Sequence, residues 1–453
     1  MKSKREYLCR NCGAGQSKWA GQCVACESWN TLEESAVVAT AATSPRFKSY
    51  SGQRAEVTSL ADVVQEKEAR MTSGIAELDR VLGGGVVAGS VVLIGGDPGI
   101  GKSTLLLQSL GKISKQPNLA ALYVSGEESA SQIALRAKRL RLDAGTLRLL
   151  TETDVDRIIE VATQQHARLV VVDSIQTMYC AESQSAPGSV AQVRESAARL
   201  VRFAKSSNTA VYLVGHVTKD GALAGPRVLE HMVDAVLYFE GDQAGRYRLV
   251  RAFKNRFGAV NELGVFAMSD QGLREVSNPS AILLSRHDEP VPGSVVLVSR
   301  EGTRPLLVEV QALVDDSAIG NPRRVTVGLD NNRLSMLLAV LHRHGGISTA
   351  GCDVFANIVG GVRVSETGAD LAVVCAVISS LKNRPLSRDL AIFGEIGLAG
   401  EIRPVQNGLE RLREAEKQGF KRAIIPAANA PKAALDSLQI VPVARLVEAL
   451  DAL

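Results

Sequence analysis

No window of this 453-residue chain holds 18 or more uninterrupted apolar residues, about the length a helix needs to cross a bilayer. A membrane-spanning helix is therefore not expected. The first residues, MKSKREYLCRN, are basic but lead into no apolar segment, so no secretory signal is expected and the chain reads as cytoplasmic. Aromatic residues make up only 4%, and both tryptophans, Trp19 and Trp29, fall in the first 30 positions. A strong charge of one sign is also missing. The net charge of +4 permits contact with nucleic acid without arguing for it. There is no internal repeat. The seven cysteines, in a cytoplasmic chain, suit metal ligation or thiols rather than disulfides.

What is present points to several domains, because 453 residues exceed what one compact core serves. Cys9-x-x-Cys12 and Cys23-x-x-Cys26 are separated by ten residues, a four-thiolate spacing suited to tetrahedral Zn²⁺. Paired redox motifs are the alternative, but no βαβ pattern surrounds them. A segment this short has too little core to fold unaided, so the metal would supply its folding energy. Lys2, Lys4, Arg5, Arg10 and Lys18 interleave with Tyr7, Trp19 and Trp29. They could follow a phosphodiester backbone and stack bases; equally, the aromatics could be the module's own core and the module could bind a protein. Cys180, Cys352 and Cys375 are isolated and read as structural.

Residues 36–58 are small, polar and without period, as in a linker. From about residue 70, short β-branched runs at 90–96, 121–127, 168–174, 209–216 and 235–241 alternate with amphipathic stretches. That alternation predicts a parallel sheet covered on both faces. Beyond residue 285 a hairpin turning at Glu301–Gly302, a helix from about Asn332 to His344 and a further helix through GADLAVVCAVISSLKN suggest a separate α+β domain. The expected division is 1–30, a linker at 31–58, 59–280 and 281–453.

The strand SVVLIGG runs into GGDPGIGKST and the helix STLLLQSL. Gly96, four residues, then Gly101, Lys102 and Ser103 satisfy the phosphate-loop pattern. The loop Gly95, Gly96, Asp97, Pro98, Gly99, Ile100, Gly101 and Thr104 would surround the phosphates of ATP with its backbone N–H groups, which every residue but Pro98 has. Lys102 would reach the β and γ oxygens and Ser103 would bind Mg²⁺. Asp173, at the tip of LVVVD, is the candidate magnesium acid. Glu127 and Glu128 follow the strand ALYVSG; one of them, Glu127 ahead, could orient the attacking water, or both could be helix N-terminal acids favoured by the macrodipole.

This layout resembles the RecA-type ATPases, in which a catalytic glutamate follows the strand after the phosphate-loop helix and the magnesium acid follows the next. The resemblance makes His216 or Thr218 a candidate sensor of the γ-phosphate, a buried structural histidine being the alternative. It also gives a reading for Lys254, Asn255, Arg256, Phe257 and Gly258, a charged cluster that could otherwise be a solvated turn. In RecA-like rings a neighbouring subunit contributes cations to the γ-phosphate, and Lys254 and Arg256 are candidates for that task. The segments 180–192 and 218–230 fall where RecA-like proteins place DNA-binding loops, so Lys219 and Arg227 are candidate phosphate contacts, or ordinary loop cations.

The zinc module, the RecA-like core, the pentapeptide KNRFG and the C-terminal region together are similar to the RadA (Sms) family of bacterial recombination ATPases over nearly the whole chain. The fold class so implied is α/β: a RecA-like P-loop ATPase core with an N-terminal C4 zinc module and a C-terminal α+β Lon-protease-like domain. At the Lon nucleophile and lysine positions this chain has Ala369 and Glu410, and a Ser–Lys dyad needs both a hydroxyl and an amine. Proteolysis is not expected; the domain reads as a scaffold for assembly and a basic surface, with Arg323 and Arg324, for DNA. The family implies a DNA-dependent ATPase acting beside RecA on single-stranded and branched DNA, with ATP, Mg²⁺ and Zn²⁺. It further implies a hexameric ring of the DnaB helicase type that drives branch migration. A partner-regulated ATPase that does not move on DNA is the competing reading.

Overall fold

The computed structural model describes residues 5–11, 15–16, 18–36, 70–117, 119–143, 145, 147–216, 226–240, 247–284, 289–317 and 321–453. The chain forms two compact units, residues 1–65 and 66–453.

In the first unit, β1 (Arg5–Cys9) pairs antiparallel with β2 (Gly15–Gln16) and with β3 (Leu32–Ala36). Leu32–Ala36 falls in the stretch expected to be linker, yet it pairs along the whole of β1. The rest of the expected linker, 37–58, lies outside the described residues. The buried cluster is Cys9, Cys23 and Leu32, while Trp19 and Trp29 are 60% and 69% exposed. The two tryptophans are therefore not the module's core.

The second unit opens with β4 (Arg70–Met71), α1 (Ala76–Val81) and β5 (Val86–Val87). Then come β6 (Val91–Gly95), α2 (Lys102–Ile113), β7 (Ala121–Ser125), α3 (Ala130–Arg139), β8 (Arg148–Thr151), α4 (Val155–Gln164) and β9 (Leu169–Asp173). They are followed by α5 (Val190–Ser207), β10 (Ala210–Val214), α6 (Pro226–Glu230) and β11 (Ala235–Glu240). The antiparallel strands β12 (Tyr247–Asn255), β13 (Leu263–Ser269) and β14 (Gly272–Glu275) complete a nine-stranded sheet of order β14-β13-β12-β11-β6-β10-β9-β7-β8. Every residue of β6, β7, β9 and β10 is buried, as continuous apolar runs require when helices cover both faces. One face packs on α2 through Leu105, Leu106 and Leu110, the other on α4 and α5 through Ile158, Leu200 and Ala204.

After α7 (Ser280–Leu283), where the expected boundary at 280/281 falls, a second sheet is built. Its elements are β15 (Ser294–Glu301), β16 (Arg304–Asp316), β17 (Arg324–Val327), α8 (Asn331–Gly345), β18 (Cys352–Ile358), α9 (Asp370–Leu381) and β19 (Leu390–Ile392). The short pair β20 (Glu395–Ile396) and β21 (Ile402–Arg403) precedes α10 (Gly408–Lys417), β22 (Arg422–Pro426), β23 (Gln439–Val443) and α11 (Leu446–Asp451). The seven-stranded order is β17-β18-β16-β15-β19-β22-β23. The β15–β16 hairpin and α8 fall where the sequence predicts them.

The two sheets of this unit share apolar packing, with Leu249, Leu263 and Val265 in the same core as Leu306 and Val308. Charged pairs rim that contact: Arg304 donates to both Glu77 oxygens at 3.0 Å, and Arg251 pairs with Glu301.

Candidate nucleotide site and metal module

The phosphate loop leaves β6 at Gly95 and closes into α2 at Lys102. Gly101, the residue before the helix, has φ +119°, a left-handed conformation that side-chain-bearing residues rarely adopt. Gly95 serves another purpose: a Cβ there would lie 2.3 Å from the Tyr238 ring. Arg248, only 4% exposed, donates from Nε to the Ile100 carbonyl at 3.1 Å and so ties the loop to β12. A cleft of about 390 Å³ opens over the loop, lined among others by Lys102, Ser103, Thr104, Glu127, Asp173 and His216.

Lys102 is buried and donates to the carbonyls of Gly96 at 2.7 Å and Asp97 at 2.9 Å. Burial pushes its pKa down to about 8, against the opposing pull of Asp173, Asp97 and Glu127. Asp173 ends β9 and accepts from the Tyr123 hydroxyl, which leaves its other oxygen for a cation. The hydroxyl of Ser103 stands in the same cleft, so a hydroxyl and a carboxylate, the hard oxygen donors Mg²⁺ prefers, are brought together.

The two glutamates are held differently. Glu127 accepts from the Ser174 hydroxyl and lies 3.4 Å from His216 Nε2. His216 and Ser174 hold its carboxyl below the usual range despite partial burial. Glu128 is engaged by Arg136 Nη2 at 2.5 Å. His216 also approaches Lys102 through Nδ1 at 3.4 Å, and so stands between lysine and glutamate. Thr218 and Lys219 lie outside the described residues, and Arg227 falls in α6. The segment from Cys180 to Ser189 is organised by the buried Gln192 amide, which donates to the carbonyls of Cys180, Ser183 and Ser185.

The pentapeptide sits elsewhere. Asn255 pairs with Ala235, which pairs with Val92 near the start of β6. Because β12 runs against β6, residues 254–258 emerge at the sheet edge opposite the phosphate loop. Lys254 donates to the carbonyls of Glu230 at 2.6 Å and Val233 at 2.8 Å, and burial and Arg256 lower its pKa. Arg256, with a side chain 58% exposed, reaches Asp234 at 3.2 Å. Asp234 also accepts from Lys205 at 2.6 Å and from the Val91 amide at 3.0 Å. Asn255 donates to the Val81 carbonyl at 3.2 Å, and the Phe257 carbonyl accepts from Arg70 at 2.8 Å.

In the first unit the sulfurs of Cys9, Cys23 and Cys26 all lie within 4.8 Å of one another, Cys9 and Cys26 at 3.6 Å. Four sulfurs about 2.3 Å from a tetrahedral Zn²⁺ stand about 3.8 Å apart, so these three fit that ion. Cys12 lies outside the described residues.

In the second sheet Ala369 is buried ahead of α9, and Glu410 is exposed on α10. One residue further, the buried Arg411 grips both oxygens of Glu366, at 2.8 and 2.6 Å. Arg323 pairs with Asp353 at 3.0 Å, and Arg324 donates to the carbonyls of Cys352 and Thr349, so both cations have partners within their own sheet.

Comparison with known proteins agrees with this layout. Residues 56–222 match an AAA domain, 7–34 a rubredoxin metal binding domain and 356–429 the subunit ChlI of Mg-chelatase. The chain is 63% identical to the DNA repair protein RadA of Pseudomonas aeruginosa, across 100% of this chain and 99% of that protein. The chain belongs to the RadA family. Its identity to the RadA of Escherichia coli is 57%, and to that of Bacillus subtilis 46%, each across 99% of this chain and 98% of the relative. Membership brings the α/β fold, the P-loop ATPase core with nucleotide and Mg²⁺, the zinc ribbon and the Lon-like C-terminal sheet under one family. Among the described residues, no helix is long and apolar enough to cross a membrane.

The sequence did not single out Tyr123, Arg136, Arg248 or Asp234 in this RadA-family chain. A polar-tipped tyrosine inside the apolar run ALYVS was the one available signal; Arg248 and Asp234 depend on strand register, and Arg136 on how α3 turns back toward Glu128.

Proposed function

We propose that this chain is a DNA-dependent ATPase that assembles into a hexameric ring, moves on single-stranded DNA and drives branch migration of recombination intermediates beside RecA. ATP binds over the phosphate loop, with Lys102 on its β and γ oxygens. Mg²⁺ held by Ser103 and Asp173 supplies charge neutralisation to the phosphates. Glu127 orients the water: its carboxyl is ionised and faces the cleft, whereas Glu128 is engaged by Arg136. Cys9, Cys12, Cys23 and Cys26 hold Zn²⁺, and the exposed Trp19 and Trp29 give the module rings on which bases can stack. Residues 59–280 act as the motor and 281–453 as a scaffold without protease activity, Ala369 and Glu410 supplying neither the hydroxyl nor the amine of a Ser–Lys dyad.

The observation that carries this reading is the position of the pentapeptide. Lys254 and Arg256 stand at the edge of the sheet opposite their own phosphate loop, away from their own ATP, and in a ring they would serve a neighbour's. Hydrolysis then depends on assembly, as a ring motor requires. The test is ATP hydrolysis with and without single-stranded DNA, for the unmodified chain and for Lys254→Ala. Stimulation by DNA that is lost in the variant is expected. Hydrolysis indifferent to DNA would instead assign the chain to partner-regulated ATPases.

A further inference from the structure

We propose that Arg136 is a second cation of the nucleotide cleft, contacting the terminal phosphates of ATP bound in its own protomer. The proposal rests on the ATP reading of that cleft. It begins with the register of α3. Ser129 and Gln132 form a capping box at its start, and Ile133 and Ala137 are buried. That register leaves Arg136 half inward. Helical side chains lean toward the N-terminus, which returns the guanidinium to the mouth of the cleft beside Glu128.

Only part of the guanidinium fork is used there. Nη2 donates to Glu128 at 2.5 Å, while Nη1 is buried and has no partner among the described residues. Arg136 lines the same cleft as Lys102, Glu127 and Asp173. Its partner Glu128 is the neighbour of Glu127, so the cation stands on the carboxylate side of the cleft, where the terminal phosphates would lie. A buried, unpaired donor is costly, and phosphate oxygens are the chemistry that uses a planar fork most fully. Unlike Lys254, Arg136 needs no neighbouring subunit to reach the nucleotide.

The experiment measures binding of a fluorescent non-hydrolysable ATP analogue, and of the matching ADP, to the full chain with Mg²⁺. The proteins are the unmodified chain, Arg136→Gln, Arg136→Lys and Glu128→Gln, each checked for folding by its melt. Arg136→Gln is expected to weaken the ATP analogue about tenfold, the scale of one lost charge-assisted contact, and ADP clearly less. Arg136→Lys should recover part of the loss. Unchanged affinity in Arg136→Gln would overturn the proposal. So would an equal loss in Glu128→Gln, which would reduce Arg136 to a support for that glutamate. If the unmodified chain binds neither nucleotide, the ATP reading itself fails and this one with it.

Discussion

Gly83 and Gly258 meet backbone to backbone: a Cβ on Gly258 would lie 2.7 Å from Gly83 Cα, and one on Gly83 would lie 2.9 Å from Gly258 Cα. This contact seats the end of the pentapeptide on the turn after α1. Gly258→Ala forces rigid backbone apart, and overpacking of this kind costs about 1–3 kcal/mol. The expected result is a lower melting temperature and a displaced pentapeptide. A melt identical to the unmodified chain's would show that the contact is loose.

If Lys254 serves a neighbour's nucleotide, two inactive subunits can complement each other. Lys254→Ala and Lys102→Ala proteins should each lack DNA-stimulated hydrolysis alone. Mixed, they should regain part of it, because some interfaces pair an intact phosphate loop with an intact lysine. No recovery at any mixing ratio argues for a pentapeptide that acts within its own subunit or only as a turn.

The state of Lys102 makes nucleotide affinity depend on pH. In the nucleotide-free cleft its pKa stands at about 8, and phosphates favour the charged form, so binding raises it. Affinity should then be flat from about pH 7 to 8. Above that it should fall toward about tenfold per pH unit as binding has to take up a proton. Titration of a fluorescent ADP across this range checks the sign, and constant affinity to about pH 9.5 would contradict it.

Both tryptophans of the chain lie in the zinc module, so tryptophan emission reports on that module alone. Trp29 packs over Gly21, a contact that depends on the thiolates of Cys9, Cys23 and Cys26 staying together. A strong chelator should remove one zinc per chain and alter the emission, since metal binding supplies such a module's folding energy. Cys23→Ser should show the altered emission from the start and no response to chelator. A metal-free purified chain with unchanged emission would end the zinc reading.

Much of this site was readable from the sequence because its chemistry is local. A phosphate loop needs consecutive backbone amides between a strand and a helix, and thiolates on one ion need a tight turn. Gly96 to Thr104 and the Cys-x-x-Cys pairs are therefore written in spacing. Asp173 and Glu127 were legible as candidates for a related reason, one ending and the other just beyond an apolar strand of a parallel sheet, where ligands gather.

The sequence by itself thus determined the classes of chemistry: phosphate loop, thiolate module, charged pentapeptide, and a Lon-like sheet. Only the tertiary structure decided which partners these groups have. Tyr123 reaches Asp173 because β7 lies beside β9, and Arg136 meets Glu128 because α3 folds back over the cleft. Asp234 gathers Lys205, Arg256 and the Val91 amide at one sheet edge, and Lys254 stands opposite its own phosphate loop because β12 reverses direction. Arg136 and Glu128 are only eight positions apart, but the other contacts share one physical reason. Strand order and register join residues tens of positions apart, and no local spacing records that choice.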